Sequence, residues 1–134
     1  MCSSDLDGTI EAIATDHAPH AAHEKDVPFE AAPFGVTGLE TAFSVLYTHL
    51  VKTGLLQLET LLERMSAGPA RIFALDRPRV AAGAPANLVL LDLEREWKVG
   101  EQPFRSRSSN SWLLGARLSG AVRMTLAGGA VVHE

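Results

Sequence analysis

Residues Ile10 to Thr15 form a short apolar run, with isoleucine at positions 10 and 13. The run predicts a buried strand, although one so short also suits a piece of helix. From Asp16 to Val36 the rhythm stops: three histidines and four prolines or glycines occur with no period. That predicts a loop of about twenty residues, a length that is uncommon inside compact domains and usually functional.

Periodicity resumes at Thr37. Thr37 and Glu40 have the spacing of a capping box, in which hydroxyl and carboxylate each satisfy an end donor. Leu39, Phe43, Leu46 and Leu50 follow at spacings of four, three and four, which puts them on one helix face, and Gly54 stands where a left-handed residue ends a helix. Leu58, Leu61, Leu62 and Met65 predict a second helix. Gly68-Pro69 breaks that pattern, and Pro69 suits the start of a short helical turn through Phe73.

After Leu75 the pattern changes. Asp76 to Ala86, with Pro78, Gly83 and Pro85, reads as a connector. Asn87 to Leu93 predicts a strand and Trp97 to Val99 a candidate second one, while Gly100 to Gly115 is polar and irregular. Val122, Met124 and Leu126 alternate as in a half-buried strand. Gly128-Gly129 then signals a tight hairpin, with Ala130-Val131-Val132 as its return. The order is strand, long loop, two helices, then short strands. The first part suits the end of a βα unit and the second a small all-β module.

Composition narrows the classes. The chain has 134 residues, 46% hydrophobic and 21% charged, with a net charge of −4. These values suit a globular chain rather than a disordered one. Mild acidity without a Lys/Arg block argues against nucleic acid as partner, and no apolar run approaches a membrane span. Cys2 is the single cysteine, which excludes an internal disulfide and multi-cysteine metal sites and fits a reducing cytoplasm. Met1 to Asp7 lacks the basic start and apolar core of a signal peptide, and its abrupt run into a strand suggests a natural start further upstream.

Candidate chemistry gathers in the long loop. Asp16 follows the predicted strand, at the end where barrels of parallel strands build their sites. A carboxylate there can bind a cation or act as general base. His17, His20 and His23 add imidazoles at intervals of three. A lone Asp after a strand is more often a cap, and loop histidines are more often solvated. For Asp16 with His20 in one loop the two readings stand level. A self-contained three-histidine zinc site is disfavoured, because nothing pins the loop as such sites require.

One resemblance covers the chain from Asp7 onward. Ala14-Thr-Asp-His-Ala-Pro-His20 resembles the motif after the eighth barrel strand of dihydroorotases. The likeness continues through Glu24-Lys25, Pro33 to Thr41, Pro69-Ala-Arg-Ile-Phe73, Ala86-Asn-Leu-Val-Leu90 and Ser108-Ser-Asn110. It implies an α/β fold: the C-terminal part of a TIM (β/α)8 barrel, its last strand and helices, over residues 1–75. Part of a small β-sandwich would follow over 76–134. It further implies a zinc-dependent enzyme, with one or two ions, that interconverts L-dihydroorotate and N-carbamoyl-L-aspartate in pyrimidine synthesis. Asp16 matches the aspartate that touches metal and shuttles the proton. His20 matches a substrate-carboxylate contact, and Phe34 and Gly35 a loop pair whose backbone meets substrate. Phe34 as plain apolar wall is an equal alternative, and His17 and His23 match no direct role.

The resemblance also implies that the other metal ligands stand on earlier strands. A zinc site normally takes three or more protein ligands, so this chain alone is expected to be inactive and, lacking its barrel wall, prone to aggregate. Gly68 stands where an Asn is usual, which predicts a weaker cap for the short helix; Asn87 replaces a usual Asp. Asn110-Ser-Trp-Leu113 departs from Asn-Thr-Pro-Phe, expected to affect packing more than chemistry. Two alternatives stay open: an allantoinase-like or dihydropyrimidinase-like enzyme, and a non-catalytic homologue that scaffolds aspartate transcarbamoylase. A homodimer is a further expected partnership.

Overall fold

The structure is a computed structural model that describes residues 8–76 and 79–134. The readings placed on Met1 to Asp7 and on Pro78 lie outside the described residues. In chain order come α1 (Ala22–Lys25), a 3₁₀ turn (Phe29–Ala31), α2 (Ala42–Leu46), a π-helix (Tyr47–Val51), α3 (Leu58–Met65) and α4 (Ala67–Ile72). Three strands follow: β1 (Leu88–Lys98), β2 (Arg117–Ala127) and β3 (Ala130–His133), paired antiparallel in the order β1-β2-β3. Among the described residues, no helix is long and apolar enough to cross a membrane.

The strand predicted over 10–15 is corrected: these residues carry no sheet pairing. A strand exists through its ladder, and no described strand lies alongside. Ile13 instead donates its N–H to the carbonyl of Arg64 at 3.0 Å and packs its side chain on the core. The long loop is irregular as expected, apart from the two single turns α1 and Phe29–Ala31.

The capping box is also corrected. The helix begins at Ala42, and Glu40 turns away from it to accept the backbone N–H groups of Arg105 and Ser106, both at 2.8 Å. Two charge-assisted bonds to otherwise open donors outweigh one cap. The hydroxyl of Thr37 is left buried without a partner among the described residues. Leu39 consequently falls outside the helix and is exposed, whereas Phe43, Leu46 and Leu50 share the core-facing side as predicted. After Leu46 the helix widens: the N–H of Lys52 bonds the Tyr47 carbonyl five residues back. The Thr48 hydroxyl occupies the Ser44 carbonyl at 2.7 Å within this change of register. Gly54, at φ 75°, closes the helix as expected.

Leu61 of α3 is wholly buried beside Phe43 and Leu56, a burial that contributes roughly 1.5–3 kcal/mol. The break after α3 falls at Ser66 rather than at Gly68-Pro69. Gly68 lies inside α4, so its weaker-cap reading is corrected: a Cβ there would stand 2.0 Å from the Glu11 carbonyl oxygen. Glycine at 68 lets the extended segment pass across the helix.

The two strands predicted within 87–99 are one, interrupted by irregularities between Leu90 and Leu91 and between Asp92 and Glu96. Asp92 causes the second: its Oδ1 accepts the N–H groups of Glu94 and Arg95 at 3.2 and 3.1 Å, removing them from the ladder. The Gly128-Gly129 hairpin forms as predicted, with positive φ at both residues. Asn87 supports it by accepting the Gly128 N–H at 2.7 Å.

The sheet docks on α2 and the π-helix through Gly120. A Cβ there would meet Tyr47 Cδ1 at 2.8 Å and Phe43 Cε1 at 3.0 Å, and these two rings stack at 5.6 Å. The Gly120 carbonyl accepts from Ser44 Oγ at 2.5 Å and Trp97 Nε1 at 3.2 Å. Leu91 and Leu93 of β1 join the Phe43 cluster, and Val45 of α2 joins a second cluster of Val99, Leu113 and Leu118. Both apolar clusters therefore draw on both halves of the sequence.

Candidate functional site

Three stretches far apart in sequence meet around the long loop: residues 15–20, residues 33–40 and residues 105–110. Ala18 donates its N–H to the Val36 carbonyl at 2.9 Å, laying the first stretch along the second. The approach is close. Gly35 has φ 95°, and a Cβ on it would lie 2.5 Å from that of Ala18.

Asp16 stands exposed at the start of this strap, with φ 47°. A non-glycine residue in the left-handed region is uncommon, although Asp enters it more readily than most. The strained backbone turns the chain out of its extended run at the carboxylate. Strain of this kind concentrates at functional positions.

His17 does not face outward with it. Its Nδ1 accepts the backbone N–H groups of Gly38 and Leu39, each at 3.2 Å. Nδ1 must then be the bare nitrogen, which puts the ring proton on Nε2, 3.4 Å from Ser106 Oγ. His17 is thus a pin joining all three stretches.

The structure brings His20 and the Phe34-Gly35 turn together. His20 Nε2 lies 2.9 Å from the Phe34 carbonyl; a carbonyl can only accept, so Nε2 carries a proton. Nδ1 lies 3.9 Å from Glu24 Oε2. Phe34 is 94% exposed. Lys25 Nζ, half-buried, donates to the carbonyls of Pro33 and Gly35 at 2.6 and 2.7 Å and holds that turn. His23 stands exposed on α1.

Two residues were under-read from sequence. Asn110, which the sequence offers only as the end of the Ser-Ser-Asn likeness with no role attached, reaches into the loop. Its Oδ1 accepts the His20 N–H at 3.2 Å, and its Nδ2 donates to the Ala18 carbonyl at 3.1 Å and the Gly35 carbonyl at 3.4 Å. Ser108 Oγ bonds Asn110 Oδ1 at 2.6 Å and also meets the His20 carbonyl oxygen. The available signal was the Ser-Ser-Asn run itself, a polar cluster in a stretch without strand character.

Among the described residues, no group of three or more His, Cys, Asp or Glu is placed to hold a metal ion. Asp16 offers one oxygen donor, short of the three or more protein ligands a zinc site takes. Among the described residues, the one resolved shift in titration lies elsewhere: the hydrogen bond that exposed Arg71 donates to Glu63, then the charges of Glu63 and Glu11, raise the guanidinium above its ordinary value. Those two carboxylates, one on each side, tie the extended segment to α3 and α4 through Arg71.

The chain is similar to the dihydroorotase of Bacillus caldolyticus, 49% identical over 129 residues that cover 96% of this chain and 30% of that protein. Among solved structures it resembles the L-hydantoinase (dihydropyrimidinase) of Arthrobacter aurescens with a TM-score of 0.87 and 32% identity, covering 98% of this chain and 30% of that one. An inactive dihydroorotase-like domain of a Chaetomium thermophilum CAD-like multifunctional protein shares the fold over 72% of this chain and 25% of that one, with a TM-score of 0.53 and 23% identity. No protein-family profile matches the chain. The chain spans about 30% of the length of the curated relatives it matches.

Proposed function

The chain belongs to the dihydroorotase family, and from that premise we propose that it forms one wall of a dihydroorotase active site. The complete protein would hydrolyse L-dihydroorotate reversibly to N-carbamoyl-L-aspartate, a step of pyrimidine synthesis in the cytoplasm. Residues 1–75 would close a (β/α)8 barrel, and 76–134 would belong to a β-sandwich beside it. The observation that carries the reading is the loop itself. A chain about half identical to dihydroorotases holds Asp16 on a strained turn, with His20, Phe34 and Gly35 pinned at the other end of one strap.

On this reading Asp16 accepts a proton from the attacking water and returns it to the ring nitrogen as the C–N bond breaks. Its exposure on the strap leaves the carboxylate free to do so. His20 presents a protonated Nε2 that a substrate carboxylate would take over from the Phe34 carbonyl. The backbone of Phe34 and Gly35 lines the same edge. Zinc, with Asp16 as one donor and its remaining ligands outside this chain, would make the water acidic enough to react. The chain by itself is therefore proposed to be inactive.

The test is to assay the complete natural protein with dihydroorotate, hydantoin and allantoin. Preference for dihydroorotate is expected, and preference for either of the others would replace the reading with the hydantoinase-like one that the 0.87 structural likeness favours. No turnover of any of the three would favour a non-catalytic scaffold, for instance of aspartate transcarbamoylase.

A further inference from the structure

The contacts of Asn110 and Ser108 exceed what packing of a β part requires. The amide of Asn110 uses both its ends. Oδ1 faces two donors, the His20 N–H and the Ser108 hydroxyl, and Nδ2 faces two acceptors, the carbonyls of Ala18 and Gly35. A flipped amide would set Nδ2 against the His20 N–H and Oδ1 against the Ala18 and Gly35 carbonyls, so these three one-way partners fix its orientation. The backbone takes part as well, because the Asn110 carbonyl accepts the Thr37 N–H at 3.2 Å. Ser108 Oγ has one proton to share between Asn110 Oδ1 and the His20 carbonyl, and its oxygen accepts the Asn110 backbone N–H at 3.3 Å. One side chain thus bonds both stretches that carry the proposed substrate contacts, from a position 90 residues beyond His20.

We propose that Asn110 and Ser108 are positioning residues: a clamp from the C-terminal half that sets the spacing between His20 and Gly35 and so shapes the substrate-carboxylate edge. The inference rests on the dihydroorotase reading. Its physical basis is that a bound geometry must be held within a fraction of an ångström, and a misplacement of about 1 Å can cost on the order of a hundredfold. Asn110 and Ser108 touch no reacting atom in this scheme. Their loss should weaken substrate binding rather than the chemical step.

The discriminating variant is Asn110→Asp in the complete natural protein. It keeps the shape and the accepting end, but sets an oxygen against the Ala18 and Gly35 carbonyls. KM for dihydroorotate is expected to rise about tenfold to a hundredfold, with kcat changed by less than about threefold. Ser108→Ala should follow in the same direction, and Ser108→Thr, which keeps the hydroxyl, should restore KM. Ser109→Ala, whose side chain is outside the clamp, serves as control. An unchanged KM in N110D would overturn the clamp. So would equal losses of kcat and melting temperature in S108A and S108T alike, since those mark a merely structural role. If N110D does not fold, the S108A and S108T pair decides by the same KM criterion. An unmutated protein inactive on dihydroorotate removes the parent reading; an active one indifferent to N110D removes the clamp alone.

Discussion

Asp16 and His17 are neighbours with opposite duties. Asp16 is left-handed and exposed, while His17 is turned inward and bound at both ring nitrogens. On the proposed function, chemistry belongs to the first and architecture to the second. Replacing Asp16 by Asn in the complete protein should therefore remove about two to four orders of magnitude of hydrolysis, the usual worth of a general base. Its melting temperature should stay close to that of the unmutated protein, because among the described residues no hydrogen bond of the carboxylate holds the strap. Turnover and thermal denaturation measured side by side check this; a variant that loses both equally would move Asp16 from chemistry to structure.

At the scale of elements, several local signals lost to distant partners. Glu40 caps the 105–106 backbone instead of its own helix, and Asp92 takes two N–H groups out of β1. Gly68 is the clearest case for measurement. Helix propensity favours Ala over Gly by about 1 kcal/mol in a helix interior. The contact opposes it: a Cβ would stand 2.0 Å from the Glu11 carbonyl oxygen, which is backbone and cannot swing aside. Forced overpacking costs about 1–3 kcal/mol or more, so Gly68→Ala should be net destabilising. A denaturant midpoint that rises would show that the Glu11 segment gives way freely.

For the whole molecule, the balance of surface is the informative feature. Phe29 and Phe34 are 89% and 94% exposed, and Leu39, Phe73, Leu75 and Trp112 are also largely open. Among the described residues, β1 and β3 form the two edges of the sheet. Scattered exposed apolar residues are ordinary, but so many large ones together with open edges mark surface meant to be covered. The 134-residue chain produced alone is expected to self-associate, measured by light scattering as it is concentrated. A monomer with a cooperative thermal transition would show that these faces need no cover.

The two later helices, the irregular loop and the final hairpin were legible in the sequence. Their causes are local: apolar spacing, a left-handed glycine and the twin glycines of the turn. Family membership was legible for a related reason, since a motif is itself a local pattern. Tertiary structure alone decided the rest. It left residues 10–15 without a ladder, gave the Glu40 carboxylate to a loop 65 residues away, and made His17 a pin. It also brought Asn110 across to the loop from a stretch with no part in it legible in the sequence. The physical reason is the same in each: a hydrogen-bonding group satisfies whichever partner the fold brings within about 3 Å, and linear spacing cannot register a partner that folding supplies.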